Sequence, residues 1–118
     1  MTESTITQLA AEGVSIGSHL ATHQSADGLS TQQLAEELVR SRAVLQRWIG
    51  RPVKALAAPF GNTDGRLRQL AAQCGYQIAY STVDAVAGLH SDPMNVPRIE
   101  VRGDWSLDDF IARLEASR

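Results

Sequence analysis

The sequence reads as an α/β protein, and three observations carry that reading. Stretches with helical apolar spacing alternate along the chain with short apolar runs of strand character. Glycine closes the helical stretches, at Gly13, Gly50 and Gly75, before the next apolar run begins. Residues with chemistry collect where the runs end: His19 after the first, Pro59-Phe60-Gly61 after the second, and the Ser81 to Asp84 segment after the third. Strands separated by helices pair in parallel through right-handed crossovers, so the expected order is α-β-α-β-α-β-loop-β-α. About four mostly parallel strands are too few to close a parallel barrel, which takes about eight. The expectation is therefore an open sheet or part of a (β/α) barrel.

Each element has its own signal. Ile6, Leu9 and Ala10 recur at helical spacing after a Thr/Ser-rich start. Val14 to His19 alternates apolar with small polar residues and predicts a strand that delivers His19 at its C-terminal end. Gln24 to Gly28 carries turn chemistry, and Ser30 with Gln33 forms a capping-box pattern for a long helix. The apolar face of that helix is Leu34, Leu38, Val44, Leu45, Trp48 and Ile49, which assigns Trp48 to the core. Val53 to Ala58 reads as a strand buried on both faces, stopped by Pro59. A helix over Asp64 to Cys74 points Leu67, Leu70 and Ala71 inward, and Tyr76 to Ser81 is the next strand. A long connection from Val83 to Pro97 leads to a last short strand, Arg98 to Val101, and Ser106 caps a terminal helix through Phe110, Ile111 and Leu114.

Composition bounds the function. The 118 residues suit one domain, and a net charge of −2 gives no field that recruits nucleic acid or an anionic membrane. No stretch approaches the roughly 20 apolar residues of a membrane span, and the first residues lack the basic and apolar regions of a secretory signal. The chain as written is expected to be cytoplasmic, or to belong to the cell envelope if it is a piece of a longer exported protein. The lone Cys74 forms no internal disulfide and has no partner for thiol chemistry.

His19 and His23 stand four residues apart where a strand turns into a loop. Imidazole pairs at such mouths hold divalent metals, but a catalytic zinc takes typically three protein ligands. Spacing alone leaves the pair readable as metal ligands or as ordinary polar loop residues.

Four segments in order, "AAEGVSIGSHLATH", "LSTQQLAEELVRSRAVLQRWIGRPVKALAAPFG", "AAQCGYQIAYST" and "VPRIEVRGDWSLDDFIARL", together resemble the polysaccharide deacetylase family, of carbohydrate esterase family 4 type. These are metal-dependent hydrolases of carbon-nitrogen bonds other than peptide bonds, acting on N-acetylated carbohydrate. The resemblance covers essentially the whole chain but only the C-terminal part of the family's domain. It implies that His19 and His23 are two metal ligands, with zinc the first metal expected. Leu20 stands where the family usually has a hydroxyl residue. The "APFG" segment is similar to the family's loop lining the active-site groove, with the backbone N–H of Phe60 helping to bind the oxyanion and Pro59 and Gly61 shaping the groove. Ala57 takes the place where many members carry arginine. Asp84 lies near the family's third-strand motif, and Arg98 resembles an arginine of one deacetylase branch, whose other reading is an ion pair bracing the last strand. Leu89-His90 resembles the family's late motif, whose histidine is a general acid; the other reading of His90 is an exposed loop residue.

The family's Asp-Asp pair, which supplies the catalytic base and the third ligand, has no counterpart among these residues. The expectation is therefore one deacetylase-like domain over residues 1 to 118 that lacks the N-terminal strand with that motif. The alternative is a non-catalytic half-barrel that binds carbohydrate or a protein partner, a homodimer completing the sheet included. Trp105 suits either a sugar stack or a staple against Phe110 or Ile111, and Asp108-Asp109 suit the helix dipole without a catalytic role.

Overall fold

The computed structural model describes residues 1–117. The described residues form four α-helices: α1 Glu3–Ala11, α2 Thr31–Ile49, α3 Gly65–Gln73 and α4 Leu107–Glu115. Two parallel strands, β1 Ala55–Ala57 and β2 Ile78–Tyr80, form the sheet, with Leu56 opposite Ala79. The helix starts are those the sequence specifies. Ser30 and Gln33 close a reciprocal capping box on α2, and Asp64 accepts from the Leu67 N–H at 2.8 Å to start α3. Ser106 and Asp109 form a second box on α4, so the Asp109 carboxylate serves the helix start. The N–H and O–H donors of Ser106 hold the Asp109 carboxyl below the usual carboxylate range.

The strands are shorter than expected, and one is displaced. The predicted first strand survives as a single parallel pairing of Ser18 with Leu56. The Ser18 N–H donates to Ala55 O at 2.8 Å and its carbonyl accepts from Ala57 N–H at 2.9 Å. The predicted last strand over Arg98 to Val101 does not form. Instead Val96, before Pro97, pairs in parallel with Tyr80, and the chain past the proline turns to cover the third loop, where Arg98 N–H donates to Val83 O at 3.0 Å. The next donor on that side of the ladder is the Arg98 N–H, and because it is spent on Val83 O the pairing with β2 stops at Val96. The expected four-strand sheet is thus two strands flanked by two single pairings, in the order Ser18, β1, β2, Val96, all parallel.

Helix α2 lies across this sheet with Leu34 and Leu38 fully buried against Val53, Leu56, Leu67 and Ala79. A buried hydroxyl chain stitches the first edge to the helices: Ser18 Oγ lies 2.8 Å from Ser41 Oγ, Ser41 Oγ lies 3.2 Å from Tyr76 Oη, and Tyr76 donates to Leu38 O at 3.0 Å. Every member has a partner, the condition under which buried polar groups are tolerated. Trp48, expected in the core, is only half-buried and borders a cleft shared with Gly17, His19 and Leu20. Helix α4 buries no residue and is tied back through Arg113, which pairs with Asp84 at 2.9 Å. No helix among the described residues is long and apolar enough to cross a membrane.

Candidate active site

The C-terminal ends of the parallel segments converge, as the α/β rule requires. His19 follows Ser18 directly and is therefore carried out of the sheet beside the end of β1. Its Nδ1 lies 2.6 Å from the carbonyl oxygen of Ala57. A carbonyl only accepts, so Nδ1 carries a proton; in the neutral ring this is the tautomer with a bare Nε2, the one a metal-ligating histidine needs. Ala57, where many members of the resembling family have arginine, contributes through its backbone.

The turn from His19 to His23 is strained. Leu20 has φ 64° and His23 φ 57°, both in the left-handed region that non-glycine residues rarely occupy. Leu20 nevertheless points inward and is buried in the core, so the position of the expected hydroxyl is a packing anchor here. The turn brings the rings of His19 and His23 to 4.8 Å between centroids, and the His23 ring lies 5.2 Å from that of Phe60. Phe60, 73% exposed, is the third non-glycine residue with positive φ, at 60°. All three such residues of the described chain sit in this one place, the clustering expected where strain belongs to a site.

The Pro59-Phe60-Gly61 turn closes on itself, with Gly61 N–H donating to Ala58 O at 3.0 Å and Asn62 N–H to Pro59 O at 3.3 Å. The Phe60 N–H donates to none of the described residues and remains available to a ligand. Gly61 is required: φ is 68°, and a Cβ there would stand 2.0 Å from Thr82 Oγ1. Asn62 donates to Ser25 Oγ at 3.3 Å, joining this turn to the loop after His23.

The other expected site residues lie along the third loop. Asp84 accepts from Glu100 N–H at 3.1 Å and from Arg113, and the two contacts, the first the larger, hold its carboxyl below the ordinary range. Arg98 donates through Nε to Ser81 O at 2.9 Å and lies over the Tyr80 ring, a bracing role that needs no acidic partner. His90 is exposed in the turn between Gly88 and Ser91, outside the histidine cluster. Burial raises the Cys74 thiol above its usual range, against the partial opposition of Arg42.

One residue escaped the sequence reading. Glu37 of α2 accepts from the Ala21 and Thr22 N–H groups, both at 2.8 Å, and from the Thr22 hydroxyl at 2.9 Å. Its only sequence signal is its place beside the buried stripe of Leu34, Leu38 and Ser41, on the side of α2 that the turn after His19 must cross.

Residues 1–79 match the family profile described as polysaccharide deacetylase. The chain belongs to the polysaccharide deacetylase family. It is 25% identical over all 118 residues to YxkH of Bacillus subtilis (strain 168), a protein assigned to the polysaccharide deacetylases, and covers 42% of it. Among solved structures, the Streptococcus pyogenes deacetylase PplD, determined with acetate, superposes with a TM-score of 0.90 at 19% identity, over 96% of this chain and 50% of that one. A polysaccharide deacetylase from Bacillus cereus gives 0.85 at 24% identity, over 97% of this chain and 36% of that one. The chain therefore spans half or less of the length of these deacetylases.

The donor set at the histidines fits part of a deacetylase metal centre. Two imidazoles stand together with one ring nitrogen bare at His19, but no group of three metal-ligating side chains exists among the described residues. The fit is to two ligands of the usual three.

Proposed function

We propose that this chain forms one part of the active site of a metal-dependent deacetylase that removes N-acetyl groups from a carbohydrate. The observation that carries the reading is the contact of His19 Nδ1 with Ala57 O, which leaves Nε2 free beside His23. In this reading His19 and His23 are metal ligands, zinc first among the metals that suit imidazole. When bound, such a metal supplies a water of lowered pKa and polarises the acetamide carbonyl.

The chain's own residues do the rest of the work assigned here. The backbone N–H of Phe60 donates to the carbonyl oxygen as it gains charge, a contact of a kind worth about 3–4 kcal/mol in acyl transfer. Pro59 and Gly61 fix that donor, and the exposed Phe60 ring offers an apolar face to a sugar. In this reading Asp84 and Arg98 are assigned to the third-loop side of the substrate groove. No step is assigned to His90. The third ligand and the base come from an Asp-Asp strand outside these residues.

The free edge of the Ser18 segment supports that last point. Ser18 spends its backbone groups on β1, whereas those of Gly17 and His19 pair with none of the described residues. Such an edge takes another strand, and its occupant in this reading is a strand of the remaining barrel, since the related deacetylases are about twice this length or more. A second copy filling the same edge is the competing outcome, a half-barrel module with a binding role.

Acetate release from N-acetylglucosamine oligomers, measured on a polypeptide that joins these residues to an Asp-Asp strand, tests the proposal. Turnover that needs zinc and falls to background in His19→Ala is expected. Turnover unchanged in that variant contradicts the ligand assignment, and absence of turnover with a stable self-associated chain favours the binding module.

A further inference from the structure

The two imidazoles are held in different ways. His19 is fixed through its own ring by the Ala57 carbonyl, at 2.6 Å. The His23 ring makes no hydrogen bond among the described residues; the rings it faces are those of His19 and Phe60. Its position therefore depends on the backbone that carries it, a four-residue turn with two non-glycine residues in the left-handed region. Such backbone persists only where surrounding contacts over-determine it.

Those contacts converge on one carboxylate. Glu37 Oε2 accepts from both Ala21 N–H and Thr22 N–H, and Oε1 accepts from Thr22 Oγ1. Gln24 adds a bond to the same hydroxyl at 2.8 Å. Glu37 sits within α2, between the buried Leu34 and Leu38, so its backbone is among the more rigid parts of the chain. Hydrogen bonds to an ionised acceptor are shorter and stronger than neutral ones, and three of them span the residues between the histidines.

We propose that Glu37 is a positioning residue: from α2 it holds the Leu20 to His23 turn in its strained form and so sets His23 against His19. The proposal deepens the metal-ligand reading above, while its backbone part stands without metal.

Glu37→Ala and Glu37→Gln test it on the intact chain, with three readouts: amide hydrogen exchange at Ala21 and Thr22, the imidazole NMR signals, and zinc titration. In Glu37→Ala, protection at Ala21 and Thr22 is expected to vanish. The His23 imidazole signal should move more than that of His19, and zinc affinity should fall about 10- to 100-fold, the usual effect of losing an outer support of a metal ligand. Glu37→Gln keeps one accepting oxygen and is expected to fall between wild type and alanine in all three. A merely structural role would lower the denaturation midpoint and leave the His23 signal and zinc affinity of the folded variant at wild-type values; that result overturns the proposal. So does unchanged protection at Ala21 and Thr22. If Glu37→Ala does not fold, wild-type values in Glu37→Gln for protection and for His23 overturn it, and intermediate ones uphold it. If the wild type, with two ligands of three, binds no zinc, exchange at Ala21 and Thr22 together with the His23 signal decides the role of Glu37.

Discussion

Gly61→Ala is expected to destabilise the chain by roughly 2–5 kcal/mol, combining the strain of a side chain in the left-handed region with that of overpacking. The added Cβ would stand 2.0 Å from Thr82 Oγ1, 2.5 Å from its Cγ2 and 2.7 Å from its Cβ. Rotation of the threonine clears the first two contacts but not the third, because Cβ is fixed by the backbone, so the turn itself must move. That turn carries Phe60 at φ 60° and the Asn62 bond to Ser25, and its displacement would also disturb the tilted ring contact of Phe60 with His23. Urea denaturation of Gly61→Ala beside Gly61→Ala/Thr82→Gly separates the two causes: the double variant recovers the clash part and keeps the strain part. A loss below about 1 kcal/mol in the single variant would show that the turn yields easily.

Leu20→Ser is expected to cost roughly 2–4 kcal/mol, within the range for truncating a buried leucine. Serine restores the hydroxyl usual in the family at this position, yet Leu20 is 8% exposed and packs in the core with Leu29 and Leu34. Residue 20 is therefore a packing anchor in this chain, and the hydroxyl contact to the supporting carboxylate is made by Thr22 instead. Zinc affinity should not rise in the variant. Thermal or urea unfolding measures the first effect and titration the second; a stable Leu20→Ser that bound zinc more tightly would mean that the position acts through hydrogen bonding.

The helices were legible in the sequence because their signals are local. Ser30, Gln33, Asp64 and Ser106 cap helices through bonds that span three residues, and Gly50 ends α2 in the left-handed conformation. The pairing of extended segments was less legible, since it depends on which partner is in reach. Val14 to His19 has strand alternation, but only Ser18 meets β1, and the last pairing falls on Val96 because the Arg98 N–H is spent on Val83 O. The convergence of His19, His23 and Phe60 followed from the rule that chemistry gathers at strand ends. The strain at Leu20, His23 and Phe60 and the grip of Glu37 did not, because a left-handed non-glycine residue and a helix carboxylate bonded to a distant turn leave no local mark in sequence. Trp48 shows the same limit: helical spacing put it on the apolar face, while the absence of a covering segment among the described residues leaves it at the border of a cleft.

The most direct measurement on the two histidines is zinc titration of the polypeptide that joins these residues to an Asp-Asp strand, beside its His19→Ala/His23→Ala variant, with elemental analysis of both. Stoichiometric zinc in the wild type, lost in the variant while its denaturation midpoint is retained, is the predicted result, since both side chains are exposed and their removal opens no cavity. Equal zinc content in the two proteins, or none in either, would contradict the assignment of His19 and His23 as metal ligands.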